Sequence, residues 1–220
     1  MFIRKLYDTR FGEEDIGNRI LLWEVLTRHF FGRIVPSEGC LLELGSGGCE
    51  FINAITAAKK IAIDCNPEVE NRAASNVRCI IADLVEGLGQ LENDSVDCVM
   101  ASNVFEHLPD KDVLYRCLSE SHRVLKPGGR LIVMQPNIAA VRERFYDFAD
   151  HSLPLTEKGM AEIIRSCGFE IDRVVARFLP YTTKSRYPSW PFLVRLYLLF
   201  PPIHRIMGGQ MLILARKPAH

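Results

Sequence analysis

The sequence predicts a single α/β domain whose parallel sheet is covered by helices on both faces. Three observations carry that expectation. From residue 40 onward, short apolar runs alternate with helix-period segments. The runs are apolar throughout rather than at every second position, as strands buried on both faces require. A length of 220 residues, with 48% hydrophobic and 25% charged side chains, fits one ordinary globular domain with a sizeable core.

The elements follow in order. Residues 13–31 read as an amphipathic helix, with Ile16, Ile20, Trp23, Leu26 and Phe30 at three- and four-residue intervals. Strands are expected at Cys40–Leu44, Ile61–Ile63, Val77–Ala82, Val96–Ala101 and Arg130–Gln135, with helices near 49–59, 67–75, 85–91 and 110–125 between them. Lys126-Pro127-Gly128-Gly129 stops the last of these helices and turns the chain. A helix near 156–166 then leads through Cys167-Gly168 to a strand at 169–178, and a final strand occupies 210–216. The whole chain, 1–220, is thus one domain: a helical cover (1–37), a core (38–178), an insertion (179–209) and the last strand. The insertion holds five of the twelve prolines and a short apolar helix candidate at 190–200, and it exceeds ordinary loop lengths, which points to a functional segment.

Composition excludes several classes. Equal numbers of basic and acidic residues, 27 each, argue against a partner of double-stranded nucleic acid. The seven cysteines include no C-x-x-C pair, so free thiols in a reducing cytoplasm are expected rather than a zinc ribbon or redox pair. The N-terminus lacks the apolar core of a signal peptide. The most apolar stretch, Trp190 to Ile203, is interrupted by Arg195 and Pro201-Pro202 and is too short to span a bilayer.

The chemistry is concentrated at strand ends. Glu43-Leu44-Gly45-Ser46-Gly47-Gly48-Cys49-Glu50 forms a glycine turn between a strand and a helix, where a ligand can approach the backbone closely. The dinucleotide spacing G-x-G-x-x-G fails at Glu50, and G-x-S-x-G of the hydrolase elbow is not met. Glu43 would repel a pyrophosphate but suits a cation. Asp64 closes the second strand, where an acid accepts hydrogen bonds from ribose hydroxyls, and Asp83 closes the third. Three acids on consecutive strands suit a nucleoside with a positive centre and no phosphate; each alone reads equally as a helix cap or a solvated charge.

These residues, with Ala62-Ile63-Asp64, Ala82-Asp83-Leu84, the stretch Ser95 to Asp110 containing Asn103-Val104-Phe105-Glu106-His107-Leu108, and Val124 to Leu131, resemble the class I S-adenosylmethionine-dependent methyltransferases of the small-molecule type. The resemblance implies a Rossmann-like, mostly parallel seven-stranded sheet with an antiparallel last strand, and S-adenosyl-L-methionine as cofactor. It implies that Glu43, Gly45 and Gly47 line the methionine part, Asp64 the ribose, and Asp83 with Leu84 the adenine, with Ser46, Cys65, Asn103 and Phe105 also at the cofactor. Cys49 departs from the pattern, which commonly has a third glycine there. Asn103-Val104-Phe105-Glu106 replaces the Asn/Asp-Pro-Pro-aromatic motif of DNA amino-methylases, and the Pro-Cys of base C5 methylation is missing as well. The stretch instead resembles O-methyltransferases of small molecules. In some relatives Glu-x-x-Glu-His binds a divalent metal; Asn103 stands at the first Glu, so no metal site is expected. His107 is the candidate catalytic base, since imidazole exchanges protons near neutral pH; the competing reading is a histidine that only packs at a helix start. Tyr7-Asp8 resembles a Tyr-Asp that covers the cofactor in several such enzymes.

The neutral total hides a division. Residues 1–172 hold 19 basic and 27 acidic side chains, whereas 173–220 hold eight Lys/Arg and no carboxylate. With Trp190, Phe192, Leu196, Tyr197 and Phe200, that segment can serve as a cover over the acceptor pocket, a peripheral contact with anionic lipid through 183–207, or a homodimer interface. The expected activity is methyl transfer to an oxygen, less readily a nitrogen, of a small or lipid-linked metabolite. A non-catalytic nucleoside-binding domain of the same fold is the alternative, and an NAD-dependent oxidoreductase a weaker one.

Overall fold

A computed structural model describes residues 13–181 and 191–219. Seven strands form one sheet in the order β3-β2-β1-β4-β5-β7-β6. They are β1 (Cys40–Leu44), β2 (Lys59–Asp64), β3 (Val77–Ile81), β4 (Val96–Ser102), β5 (Leu125–Pro136), β6 (Glu170–Val175) and β7 (Gln210–Arg216). Strands β1 to β5 pair in parallel, while β7 lies antiparallel between β5 and β6. The expected sheet and its reversed last strand are both present.

All five residues of β1 are buried, which is why this strand reads as an uninterrupted apolar run. Alternate side chains feed two cores. On one face Leu42, Leu44, Val99 and Val133 meet Leu88 of α4 (Leu84–Gly89), Leu114 and Leu118 of α5 (Lys111–Val124), and Met160 and Ile164 of α7 (Glu157–Ser166). On the other, Leu41, Met100 and Ile132 meet Leu26 of α1 (Glu13–His29), Phe31, Phe51 of α2 (Glu50–Ala54) and Phe178. The remaining helices are α3 (Val69–Arg72), α6 (Ile138–Val141), α8 (Pro191–Leu199) and α9 (Pro201–Met207).

Several boundaries differ from expectation for physical reasons. The helix expected over 49–59 spans only Glu50–Ala54, because the backbone at Ile55 turns extended toward β2. Strand β5 begins at Leu125, which pairs with Val96 before the Lys126–Gly129 turn shifts the register; Gly128 supplies the left-handed φ of +77°. In α1 the C-terminal half docks, with Leu26 fully buried, whereas Ile16 and Ile20 of the same stripe remain exposed.

The chain runs outward from β1 through β2 to β3, then crosses back to place β4 on the other side of β1. That reversal opens a crevice at the carboxyl ends of β1 and β4, where open α/β sheets hold their ligands.

Candidate active site

The turn after β1 is shaped by its glycines. Gly45 and Gly47 have φ of +66° and +50°, and a Cβ on Gly45 would run into the side chain of Val104. Cys49 also takes a left-handed φ of 61°, which accounts for the preference for glycine there. The Gly45 amide donates to the Ile63 carbonyl at 2.8 Å, tying the turn to β2.

Asp64 completes that tie. Its carboxylate accepts from the Gly47 amide and from the Asn66 amide, each at 2.8 Å. The acid that closes β2 thus sets the position of the glycine turn while retaining lone pairs on both oxygens for a ligand. The neighbouring Cys65 is exposed, with its thiol pushed up by burial of the sulfur environment and by the Asp64 charge.

Glu43 lies beneath the turn, and only 4% of it is exposed. Among the described residues its Oε2 has no hydrogen-bond partner. Burial is the main cause that pushes its carboxyl well above the usual carboxylate range, with Glu50 and Asp64 adding repulsion; Ser46 and the Ile52 backbone oppose the shift by hydrogen bonding. Arg19 of α1 offsets part of the negative charge by pairing with Glu50 at 3.1 Å. A buried carboxylate short of a partner, next to an open-backbone turn and an acid suited to ribose, fits the ammonium and nucleoside of S-adenosylmethionine.

This arrangement has a testable cost. Because the folded-state pKa of Glu43 is raised, the native protein holds this proton more tightly than the unfolded chain. Stability is therefore lost as pH rises from the ordinary carboxylate value through the raised one. Glu43→Gln should melt about 2–4 °C above the wild type at pH 8 without cofactor, for roughly 1 kcal/mol of polar burial relieved. The gap should narrow toward pH 5. Equal melting temperatures across that range, measured by scanning calorimetry, would contradict the assignment.

The other expected site residues are distributed as follows. Asp83 is exposed and caps α4, accepting from the Glu86 amide at 3.0 Å, so its helix-cap role is real and one oxygen is already engaged. Leu84 is buried against the core behind it. Asn103 is exposed at the end of β4 with φ of 50°, its amide held by the Met134 carbonyl at 2.8 Å. Phe105 packs inside the core at 1% exposure, so its ring supports the site from within. Tyr7-Asp8 lies outside the described residues.

His107 follows β4 in a short 3-10 turn, Phe105–His107. Its Nδ1 faces the Asp150 carbonyl at 3.1 Å and the Asp150 carboxylate at 3.3 Å. The loop that carries Asp150 is fastened back to this turn, because the Ser152 and Leu153 amides donate to the Glu106 carbonyl at 2.8 and 3.0 Å. His151 comes with it, and the rings of His107 and His151 lie 5.0 Å apart, edge to face. One ligand atom from each of Glu106, His107 and His151 lies within 4.8 Å of the others. Asp150 and His151 were not legible as site residues: nothing periodic marks the loop after β5, and the only signal is an adjacent acid and histidine in Ala149-Asp150-His151.

Comparison with known proteins agrees with the architecture. Residues 42–133 match the methyltransferase domain family. A SAM-dependent methyltransferase from Archaeoglobus fulgidus superposes with a TM-score of 0.66 at 20% identity, covering 90% of this chain and 94% of that one. A protein from Thermotoga maritima described as a possible histamine N-methyltransferase gives 0.67 at 18%, covering 97% and 98%. A methyltransferase in complex with the Haloferax volcanii Trm112 activator gives 0.63 at 17%, covering 90% and 97%. A 37.1 kDa protein in transposon TN4556 of Streptomyces fradiae is 32% identical over 112 residues, 46% of this chain and 31% of that protein. The chain therefore spans about a third of the length of that curated relative. The strand order is that of the solved SAM-dependent methyltransferases, and the stretch from β1 to β5, with its glycine turn flanked by Glu43 and Asp64, is the part that matches the methyltransferase domain family.

Proposed function

We propose that this protein transfers the methyl group of S-adenosylmethionine to an oxygen, less readily a nitrogen, of a small or lipid-linked acceptor. The observation that carries the cofactor half is the buried, incompletely partnered Glu43 carboxylate beside a glycine turn pinned by Asp64. Bound there, the cofactor supplies a methyl group already activated on a sulfonium, so the protein's tasks are positioning, exclusion of water and management of one proton. Glu43 holds the ammonium, Asp64 the ribose, and Asp83 with Leu84 the adenine edge, while Ser46, Cys65 and Asn103 border the same crevice. His107, with Nδ1 fixed by Asp150, turns its other nitrogen toward an acceptor hydroxyl and takes the proton as the oxygen attacks. The Asp150 carboxylate then stabilises the imidazolium.

Calorimetric titration tests this reading. S-adenosylhomocysteine should bind at one site per chain and NAD should not. Binding of NAD in preference would favour an oxidoreductase. Binding of S-adenosylhomocysteine without turnover across a broad screen of hydroxylated acceptors would favour the nucleoside-binding alternative.

The lipid-linked form of the acceptor is supported by the segment before β7. Helix α8 packs inward through Val194, Tyr197 and Leu198, and the Tyr197 hydroxyl donates to the Phe178 carbonyl at 2.7 Å. The opposite face presents Phe192, Leu196 and Leu199 at i, i+4 and i+7, each more than half exposed, followed by Phe200. Arg195 and Arg205 are exposed beside them, in a stretch with no carboxylate. Residues 183–190 lie outside the described residues. An apolar face with basic flanks matches an anionic bilayer surface. Phe192→Asp/Leu196→Asp leaves the docked face intact and should reduce cosedimentation with phosphatidylserine vesicles about tenfold, given a loss of ~1.4 kcal/mol or more. Unchanged cosedimentation, or none by the wild type, counts against the lipid contact and leaves the cover or dimer reading in place.

A further inference from the structure

We propose that Gln135, at the carboxyl end of β5, recognises the acceptor, its side-chain amide taking a flat apolar ring that carries a hydrogen-bond donor and acceptor side by side. The observation behind this is a buried amide with nothing to bind. Gln135 is 1% exposed, and among the described residues neither its Nε2 nor its Oε1 has a hydrogen-bond partner. Buried polar groups are otherwise almost always paired, and an unpaired one destabilises the fold. Methionine would fill the same space without that loss. The neighbouring buried glutamine is different. Gln210, opposite Pro136 in the β5–β7 ladder, donates to the Pro180 carbonyl at 3.2 Å and so has a structural use.

Placement connects the amide to the acceptor. Alternation along β5 puts Gln135 on the face of Leu131 and Val133, opposite Met211 of β7. On its other side the β4–β5 ladder ends at Ser102 and Met134, and the Asn103 amide donates to the Met134 carbonyl. Gln135 therefore stands beside the start of the turn that carries His107. The core cluster on this face includes Phe105 of that turn, and Leu153 and Leu155 of the loop fastened to it. One amide at the end of an apolar layer is the composition of a site for an apolar ligand with a single polar edge. Entry requires the loop of Ser152 and Leu153 to part from the Glu106 carbonyl, and closure over the ring then excludes water.

The amide's own chemistry selects the group. A primary amide offers a donor and an acceptor side by side, so its full complement has an acceptor and a donor at the same spacing. Adjacent hydroxyls on a ring meet that requirement, and so does a cyclic amide. An ammonium pairs with the oxygen only, and a carboxylate pairs with the nitrogen only. A carboxylate also adds negative charge beside the turn that carries Glu106 and the Asp150 held to it. A ring without the polar edge gains nothing from the amide, so the site discriminates by the hydrogen bonds it adds. This rests on the methyltransferase reading, in which Gln135 fixes how the ring is presented to His107.

The test is an NMR titration of the full-length protein with catechol and with 2-pyridone, toluene serving as the ring without the polar edge. Gln135 is one of three glutamines, with Gln90 and Gln210, and its side-chain amide signal is identified by its absence from Gln135→Met. In the wild type at least one of the two polar rings should move that signal, and toluene should not. Whichever polar ring binds more tightly tells adjacent hydroxyls from a cyclic amide. In Gln135→Met the affinity for that ring should fall by about tenfold or more, and toluene should bind more tightly than before. The variant should also melt about 2–4 °C higher. Unchanged S-adenosylhomocysteine affinity shows that it is folded with its glycine turn intact. An unmoved Gln135 signal, or equal affinity for the polar rings in the two proteins, overturns the proposal. So does a variant that melts below the wild type, because the amide is then already paired by a buried water. Failure of S-adenosylhomocysteine to bind the wild type removes the methyltransferase reading instead. Failure of the ring ligands to depend on Gln135 leaves that reading in place.

Discussion

His107→Ala lowers turnover by about 10²-fold while S-adenosylhomocysteine affinity stays within about twofold. The split follows from where the side chain sits. The proposed cofactor cradle is made by the turns after β1 and β2, whereas His107 lies beyond β4 and is held by Asp150. If His107 is the proposed base, removing it takes away the group that accepts the acceptor's proton and leaves the turns after β1 and β2 untouched. The measurement is steady-state turnover on a hydroxylated acceptor, alongside calorimetry of the product nucleoside. A variant that retains most of the wild-type rate would show that His107 only packs at its turn. Asp150→Asn separates positioning from bulk: it keeps the shape but removes the charge that favours the imidazolium, so the rate falls and its pH profile shifts, while cofactor binding does not change.

The parts of this molecule legible in the sequence are those governed by short-range constraints. β1, β2 and β4 stand out because strands buried on both faces have no choice but to be apolar, and the glycine turn because Gly45 and Gly47 adopt φ values that other residues resist. Glu43 stood out for a related reason, since a charge inside an apolar run is rare, and the structure buries it there. β6 was harder. Its sequence, Glu170-Ile171-Asp172-Arg173-Val174-Val175, is mostly exposed at the sheet edge, and its place beside β7 follows from pairing that no local pattern encodes. Asp83 illustrates an ambiguity that residue type alone leaves standing, since an acid after a strand and before a helix suits a ligand and a cap equally, and the cap is made. The meeting of His107 with Asp150 and His151 is long-range in the strict sense. It depends on two amides of one loop finding the Glu106 carbonyl of another, and neither loop announces the other.

Asp64→Ala abolishes most cofactor binding, with affinity for S-adenosylhomocysteine falling at least 10²-fold. Two contributions add. In the proposed function the carboxylate accepts from ribose hydroxyls, and charge-assisted hydrogen bonds of that kind contribute roughly 1.5–3 kcal/mol each. It also accepts from the Gly47 and Asn66 amides, so its removal releases the glycine turn from β2 and leaves the cradle to be ordered at the moment of binding. Asp64→Asn distinguishes the two. An asparagine has one acceptor oxygen in place of two, so it can satisfy only one of the two amides, which lie on different oxygens, and its affinity should fall between wild type and alanine. A thermal melt supplies the control, because loss of two part-buried hydrogen bonds, at about 1 kcal/mol each, should lower the melting temperature by several degrees and leave the alanine variant folded. Survival of near-wild-type affinity in Asp64→Ala would mean that the nucleoside lies elsewhere on the sheet, and the roles assigned to Glu43 and the glycine turn would fall with it.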